Sequence, residues 1–282
     1  MDNLHFDPLT HADRDAALRL STQAGWNQVA ADWKRLLDLC PEGCIAGRLG
    51  GRLVATATLA SYGQDAHWIG MVLVDEENRG RGYGKSLLAH VIRRGLERGT
   101  EAIGLDATDL GRPVYLKQSF VDVAPIDRWG GVLRPTVPVS STEPLDRGRL
   151  DAVTAYDRKA VGLDRTALLR HLAGEEGATG WVARDAAAVR GYAFLRPGRQ
   201  HFHLGPVVAE DPERFAELVS AAALHRPGSS VLVDVLRSPS SSGLLTASGL
   251  EVRRRLTRMT YGRPQPLLMG DRVRAATAFE WG

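Results

Sequence analysis

The chain has 282 residues, of which 44% are hydrophobic and 24% charged, a length that favours two domains and a composition ordinary for a globular protein. Its 36 Lys and Arg stand against 33 Asp and Glu, and a net charge of +3 carried on scattered residues argues against a nucleic-acid surface. No apolar run approaches the roughly 18 residues that a helical membrane span needs, so no membrane partner is expected.

In chain order, Met1-Asp2-Asn3-Leu4-His5 lacks the basic and apolar regions of a secretion signal. Cys40 and Cys44 flank a Pro41-Glu42-Gly43 turn. Two cysteines make no disulfide framework and, without further ligands nearby, no zinc site, so a reducing, cytoplasmic setting and no metal are expected. Residues 45–48 and 53–60 read as a hairpin around Gly50-Gly51. Residues 67–74 form a nearly continuous apolar run, as in a strand covered on both faces. After a Gly-rich turn, Leu87, Leu88, Val91, Ile92 and Leu96 recur at helical spacing. Residues 102–107 suggest a short strand, 113–117 a short helix with Pro113 in its first turn, and 121–124 a closing strand.

Residues 134–144 are rich in Pro, Ser and Thr and carry no apolar period. They predict an extended linker, with a first domain over 1–134, the linker at 135–144 and a second domain over 145–282. The second half repeats the order of the first. Trp181-Val-Ala-Arg184 matches Cys44-Ile-Ala-Gly47, and His203-Leu-Gly-Pro-Val-Val208 matches Trp68-Ile-Gly-Met-Val-Leu73. Ser230-Val-Leu-Val-Asp234 matches Ala102-Ile-Gly-Leu-Asp106, and Ala247-Ser-Gly-Leu250 matches Lys117-Gln-Ser-Phe120. The second copy is shorter in the turn after the long strand. Duplication of one α/β unit explains this order; a chance match of short apolar strands is the alternative.

The segment Val74-Asp-Glu-Glu-Asn-Arg79-Gly-Arg81-Gly82-Tyr-Gly84-Lys-Ser86 carries the chemistry. Arg79 stands where a P-loop needs Gly, and Lys85 where a dinucleotide fingerprint needs its third Gly. What fits is Arg79-x-x-Gly82-x-Gly84 between a strand and a helix. Glycines admit a pyrophosphate close to the backbone, helix N-terminal N–H groups face the anion, and Arg79, Arg81 and Lys85 add positive charge. A solvated Gly-Arg turn is the bland alternative.

This motif resembles the CoA-binding motif of the GNAT superfamily of acyl-CoA-dependent N-acyltransferases, and Tyr115-Leu-Lys-Gln-Ser-Phe120 resembles its Tyr-x-x-x-Gly-Phe segment, with Ser119 for Gly. Thr108 stands where Asn is usual. Gly25-Trp26-Asn27, Trp68-Ile-Gly-Met-Val-Leu-Val74 and Leu105-Asp-Ala-Thr108 resemble a bacterial two-domain subgroup. Its divergent second module is similar to Leu163-Asp-Arg-Thr-Ala-Leu-Leu169 and His203-Leu-Gly-Pro-Val-Val-Ala209. The resemblance implies an α/β (α+β) fold of two GNAT-like domains, each a mixed, mostly antiparallel sheet flanked by helices, the second without the pyrophosphate loop.

It also implies acetyl-CoA as co-substrate, held by Arg79, Gly80, Arg81, Gly82, Tyr83, Gly84, Lys85 and Ser86, with backbone groups of Val72, Leu73 and Val74 facing the pantetheine and thioester. Tyr115 would protonate the leaving thiolate. The strand 67–74 carries no Asp or Glu at a common base position, which leaves Asp106 as the candidate base, through a water or as a purely structural Asp, with His67 weaker. Trp26, Asp32 and Trp33 fall in the segment that overhangs the acceptor site in the family; packing in the core is the alternative for both Trp residues. The expected function is acetyl transfer to a primary amine, most simply a small molecule. A protein N-acyltransferase and a non-catalytic CoA-binding sensor are the alternatives. The sequence leaves the oligomeric state open.

Overall fold

In the computed structural model, described for residues 4–63, 66–100, 102–262, 267–268 and 270–282, both halves contribute to one 13-stranded sheet. Met1, Asp2 and Asn3 lie outside the described residues. The first half runs β1 (His5–Pro8), α1 (Arg14–Gln23), α2 (Ala30–Leu39), β2 (Cys44–Leu49), β3 (Arg52–Tyr62), β4 (Ala66–Val74), α3 (Tyr83–Glu97), β5 (Ala102–Ala107), α4 (Arg112–Leu116) and β6 (Val121–Val132). The second runs β7 (Thr142–Pro144), α5 (Leu150–Val161), α6 (Thr166–Ala173), β8 (Thr179–Asp185), β9 (Ala188–Arg196), β10 (Phe202–Ala209), α7 (Pro212–His225), β11 (Ser230–Leu236), α8 (Pro239–Ala247), β12 (Leu250–Gly262) and β13 (Val273–Ala275). Among the described residues no helix is long and apolar enough to cross a membrane.

The sheet is mixed and mostly antiparallel; β4–β5 and β10–β11 are its parallel pairs. β4 is apolar except for the buried His67 because it is covered twice. Trp68, Met71 and Leu73 enter a core shared with α1 and α2, while Ile69 packs beneath α3 with Leu87, Leu88, Val91 and Ile92. Leu96, at the same helical spacing, lies at the end of α3 and is exposed. The core under α1 and α2 also takes Val153, Leu168, Leu169, Leu172, Val182 and Tyr192 from the second half. One apolar mass therefore joins the two halves.

The sheet joins them a second time by exchange of strands. Its order is β1-β2-β3-β4-β5-β12-β6-β11-β10-β9-β8-β7, with β13 against β10. β12, from the second half, pairs with β5; β6, from the first, pairs with β11. The two exchanged strands pair with each other between them. The expected linker is not wholly free chain, since Thr142–Pro144 is the edge strand beside β8.

The matched positions of the two halves have matched roles. α4 ends with Ser119 N–H donating to Leu116 O and Phe120 N–H to Tyr115 O, the paired closing bonds of a left-handed C-terminal cap. Ser119 accordingly sits at φ +66°, and Gly249, its match in the second half, at φ +84°. A side chain in that region costs roughly 1–2 kcal/mol, and the extra freedom of unfolded glycine offsets part of it. Ser119→Gly is expected to stabilise the chain by about 0.5–1 kcal/mol in denaturant unfolding; a destabilised variant would show that the Ser hydroxyl matters more than the backbone.

Candidate active site

The site begins where β4 and β5 part. They pair from Ala66 and Ala102 to Trp68 and Gly104 and then diverge. A bulge at Met71, φ +50°, shifts the register of β4 against β3, and the Thr56 hydroxyl secures it by donating to Met71 O at 2.9 Å. Beyond the bulge Val72 and Val74 line a cleft of about 510 Å³, with Ile69 and Leu105 also in its wall. Leu73, expected beside them, points to the opposite face and is buried in the core, as strand alternation requires.

Asp75 anchors the turn that follows. Its buried carboxylate accepts bonds from Gln23 Nε2 at 3.1 Å, Arg52 Nη2 at 2.8 Å and Asn78 Nδ2 at 3.2 Å. Gly80 and Gly82 then take φ +77° and +82°, and Gly82 stands at the N-cap of α3. No side chain caps this helix. Its first-turn N–H groups lack intrahelical partners and carry the positive end of the helix dipole. Arg79, Gly80, Gly82, Tyr83, Gly84 and Lys85 all line the cleft. Arg79 donates through Nε to Val74 O at 3.0 Å, which holds its guanidinium at the mouth. Arg81 and Ser86, expected with them, are exposed and lie off the cleft wall; Ser86 N–H is taken by Gly82 O at 3.1 Å. A concave run of uncapped N–H groups, three glycines and two cations fits a pyrophosphate.

Tyr115 lines the cleft from α4, its ring edge-on to Phe120 at 5.9 Å. Burial pushes its hydroxyl up to about 12, so it stays protonated at neutral pH and is available as a proton donor. Thr108 lines the same wall, and its Oγ1 accepts from Gly111 N–H at 3.1 Å ahead of α4.

Asp106, the expected base, is committed elsewhere. Arg258 of β12 donates through Nε to one carboxylate oxygen at 2.8 Å and through Nη2 to the other at 2.9 Å, and the Asp106 side chain has no exposed surface. Burial raises its carboxyl, with Arg258 opposing. Its match in the second half, Asp234, is held in the same way by Arg128 of β6, at 2.7 Å on each oxygen. The two Asp residues bind the two exchanged strands. His67 is also a structural residue: it is buried, its Nδ1 lies 3.0 Å from Ala66 O, and burial lowers its pKa.

Of the three residues expected at the acceptor, only Trp26 reaches the cleft. Trp33 is fully buried in the shared core, its Nε1 donating to Ser21 Oγ at 3.2 Å. Asp32 caps its own helix, accepting from Val29 N–H at 2.9 Å and from Arg35 Nη1 at 3.0 Å. It lies instead in a small recess behind the cleft, with Gln28, Arg196, His203 and Glu280. The cleft wall beside Trp26 comes largely from the other half: Arg254, Leu256, Phe279 and Glu280, with Arg128 of β6 stacked over Phe279 at 4.0 Å. Arg253, Arg254 and Arg255 are exposed, as their sequence suggested, but Arg254 also borders the cleft. No local pattern marks these residues, because strand exchange and the C-terminal tail bring them in. Cys40 and Cys44 are free thiols, and the described residues hold no group of three or more His, Cys, Asp or Glu able to bind a metal.

The second half has the same strand parting but fills it. β10 and β11 pair at Phe202–Val231 and His203–Leu232, and β13 then runs antiparallel beside β10, with Ala276 N–H donating to Asp234 O at 2.8 Å. A Cβ on Gly205 would come within 2.2 Å of Ala276 O, so glycine there admits the tail.

Comparison with known proteins agrees with this duplicated geometry. Residues 9–120 match the model of the Acetyltransferase (GNAT) family, and residues 153–273 match that of an Acetyltransferase (GNAT) domain. The holothin acyltransferase of Pseudoalteromonas sp. (strain SANK 73390) is 26% identical over 211 residues, which are 74% of this chain and 71% of that protein. A Pyrococcus horikoshii protein regarded as an acetyltransferase superposes with a TM-score of 0.87 at 20% identity, over 100% of this chain and 97% of that one. A tandem GNAT protein from the clavulanic acid biosynthesis pathway gives 0.66 at 17% identity, over 94% and 99%.

Proposed function

We propose that this chain, which belongs to the GNAT superfamily as a tandem of two such domains, is an acetyl-CoA-dependent N-acetyltransferase that acts on a small primary amine. The observation that carries the reading is one continuous cleft. It joins the uncapped N-terminus of α3, the parting of β4 from β5, the Tyr115 hydroxyl and the wall made by Trp26, Phe279 and Glu280. GNAT enzymes use acyl-CoA as co-substrate. Here Gly80, Gly82, Gly84 and Lys85 would hold its pyrophosphate, with Arg79 at the mouth, and the backbone of Val72 and Val74 would align its pantetheine. Buried Ile69, Met71 and Leu105 at the strand parting support a short acyl group. Residues of the second half close the acceptor end, which supports a compact acceptor over a long peptide. The relative named holothin acyltransferase supports the same choice.

Tyr115 donates its proton to the leaving thiolate in this reading, as its protonated state at neutral pH permits. Tyr115→Phe is expected to keep CoA affinity and lose about a hundredfold or more in kcat; an unchanged kcat across the pH range would remove Tyr115 from the reaction. The reading itself is tested by acetyl-CoA consumption against a broad panel of amines, with products identified by mass. A wild-type chain that binds acetyl-CoA yet acetylates nothing in the panel would overturn it in favour of a CoA-binding sensor.

A further inference from the structure

We propose that Glu280, carried in by the C-terminal tail of the second half, is the residue that takes the proton of the attacking amine. The inference rests on the acyl-transfer reading above and deepens it.

The acceptor side of the cleft needs a group to receive a proton, and β4 has no carboxylate to offer. The tail brings one to β4 from outside. A Cβ on Gly70 would lie 2.6 Å from Glu280 Cα and 2.9 Å from Glu280 Cβ, so the glycine is the gap through which Glu280 reaches the strand. Trp68 Nε1, two residues earlier, donates to Phe279 O at 2.8 Å, and the Tyr62 hydroxyl donates to Trp281 O. These bonds fix the backbone on both sides of Glu280 against the same strands that shape the cleft.

The carboxylate itself is half satisfied. Gln28 Nε2 donates to Oε2 at 3.1 Å, while Oε1 has no hydrogen-bond partner among the described residues, although Glu280 is only 1% exposed. Arg196 Nη2 stands 3.9 Å from it, beyond hydrogen-bond distance. A buried carboxylate oxygen left without a donor is costly unless a ligand supplies one. Glu280 lines the cleft beside Trp26, Phe279 and Leu256, and an amine there has an N–H to give. The other acidic groups near the cleft are engaged: Asp106 holds Arg258 with both oxygens, and Asp32 serves Val29 N–H and Arg35.

The charges facing Glu280 are Asp32 and Arg35 on α2, Arg196 on β9, Arg128 on β6 and the buried His203 on β10, while Glu175 after α6 pairs with Arg35. Burial, then Asp32, raises the carboxyl above its ordinary range; Arg196 and Arg35 oppose. A carboxylate raised in this way is a better proton acceptor than an exposed one, and it must be ionised to act.

The step balances within the cleft. As the amine nitrogen forms its bond to the acyl carbon, its N–H proton passes to Glu280 Oε1. The carbon–sulfur bond then breaks, and the thiolate takes the proton of the Tyr115 hydroxyl. Water returns the proton from Glu280 to Tyr115, leaving an N-acyl amine and a free thiol.

The test compares the wild type with Glu280→Gln and Glu280→Asp on whichever amine the panel selects, at saturating acetyl-CoA, from pH 5.5 to 9 on the order of half-unit steps. Calorimetry with CoA and thermal unfolding establish that each variant is folded. Glu280→Gln is expected to keep CoA affinity, lose about a hundredfold or more in kcat and lose the acid limb of its pH profile. Glu280→Asp, which keeps a carboxylate, is expected to recover part of the rate together with the limb. An active wild type whose Glu280→Gln form keeps its rate and pH profile would overturn the assignment and leave the transferase reading intact. If Glu280→Gln does not fold, a folded Glu280→Asp form that keeps the full wild-type kcat overturns the assignment in its place. A wild type inactive on the whole panel overturns both.

Discussion

Titrated with coenzyme A, the chain is expected to saturate at one equivalent despite its two GNAT domains. The first half offers an open strand parting and a helix whose first-turn N–H groups no side chain caps. The second half offers neither. β13 and the residues after it occupy the parting of β10 and β11. At the start of α7 the Asp211 carboxylate accepts from Arg214 N–H at 2.8 Å, Pro212 removes one donor, and Glu213 adds a second negative charge. A pyrophosphate placed there would meet like charge in place of free N–H groups.

Gly84→Val tests the open site cleanly. Gly84 has no positive φ, and a Cβ there would meet only Val74 Cγ2, at an ordinary 3.5 Å. The variant is therefore expected to fold, while the added bulk stands between the helix N-terminus and the phosphates. Calorimetry is expected to show tenfold or greater loss of affinity, about 1.4 kcal/mol or more. A second equivalent bound with similar affinity, or a folded Gly84→Val chain that binds as the wild type does, would refute the division of labour between the halves.

The parts of the site visible in the sequence are those in which chemistry and chain are local. The glycines and cations of residues 79–85 sit on one turn, and the helical spacing that follows gives that turn its dipole. Tyr115 was legible through its neighbours, Ser119 included, whose left-handed backbone matches Gly249. The shortened, acidic turn of the second half was the sequence's ground for expecting no phosphate site there, but nothing at residues 273–275 announces a strand that fills the parting. The sequence also aligned Asp106 with Asp234 without revealing their partners. Those partners, Arg258 and Arg128, lie on strands that each half lends to the other, and strand pairing is not written in the local apolar pattern. The misplaced acceptor residues have the same origin. Trp33 and Asp32 look like cleft residues while the second half is ignored; its helices turn that side of α2 into a core.

The exchange also sets the largest stability effect expected of one substitution. Arg258 is 1% exposed, joined to Asp106 through two bonds, and its guanidinium lies 4.6 Å from the Trp68 ring centroid. Arg258→Met keeps much of the side-chain volume but strands a buried carboxylate, a change worth about 3–5 kcal/mol where such pairs are broken on one side. That is a large share of the roughly 5–15 kcal/mol that holds a typical domain folded. Burial already raises Asp106, and Arg258 is the first group that opposes it, so the substitution moves the folded carboxyl further up. A carboxyl raised in the folded state favours folding while it is protonated and loses that contribution as pH rises through its folded value. The deficit of Arg258→Met relative to wild type is therefore expected to be greatest at neutral pH and to shrink on acidification. Adding Asp106→Asn, which removes the stranded charge, is expected to restore part of the loss at pH 7. Denaturant unfolding of the single and double variants at both pH values measures this. A single variant within about 0.5 kcal/mol of wild type at pH 7, the usual range for a surface change, would show that the pair does not tie the exchanged strand to β5.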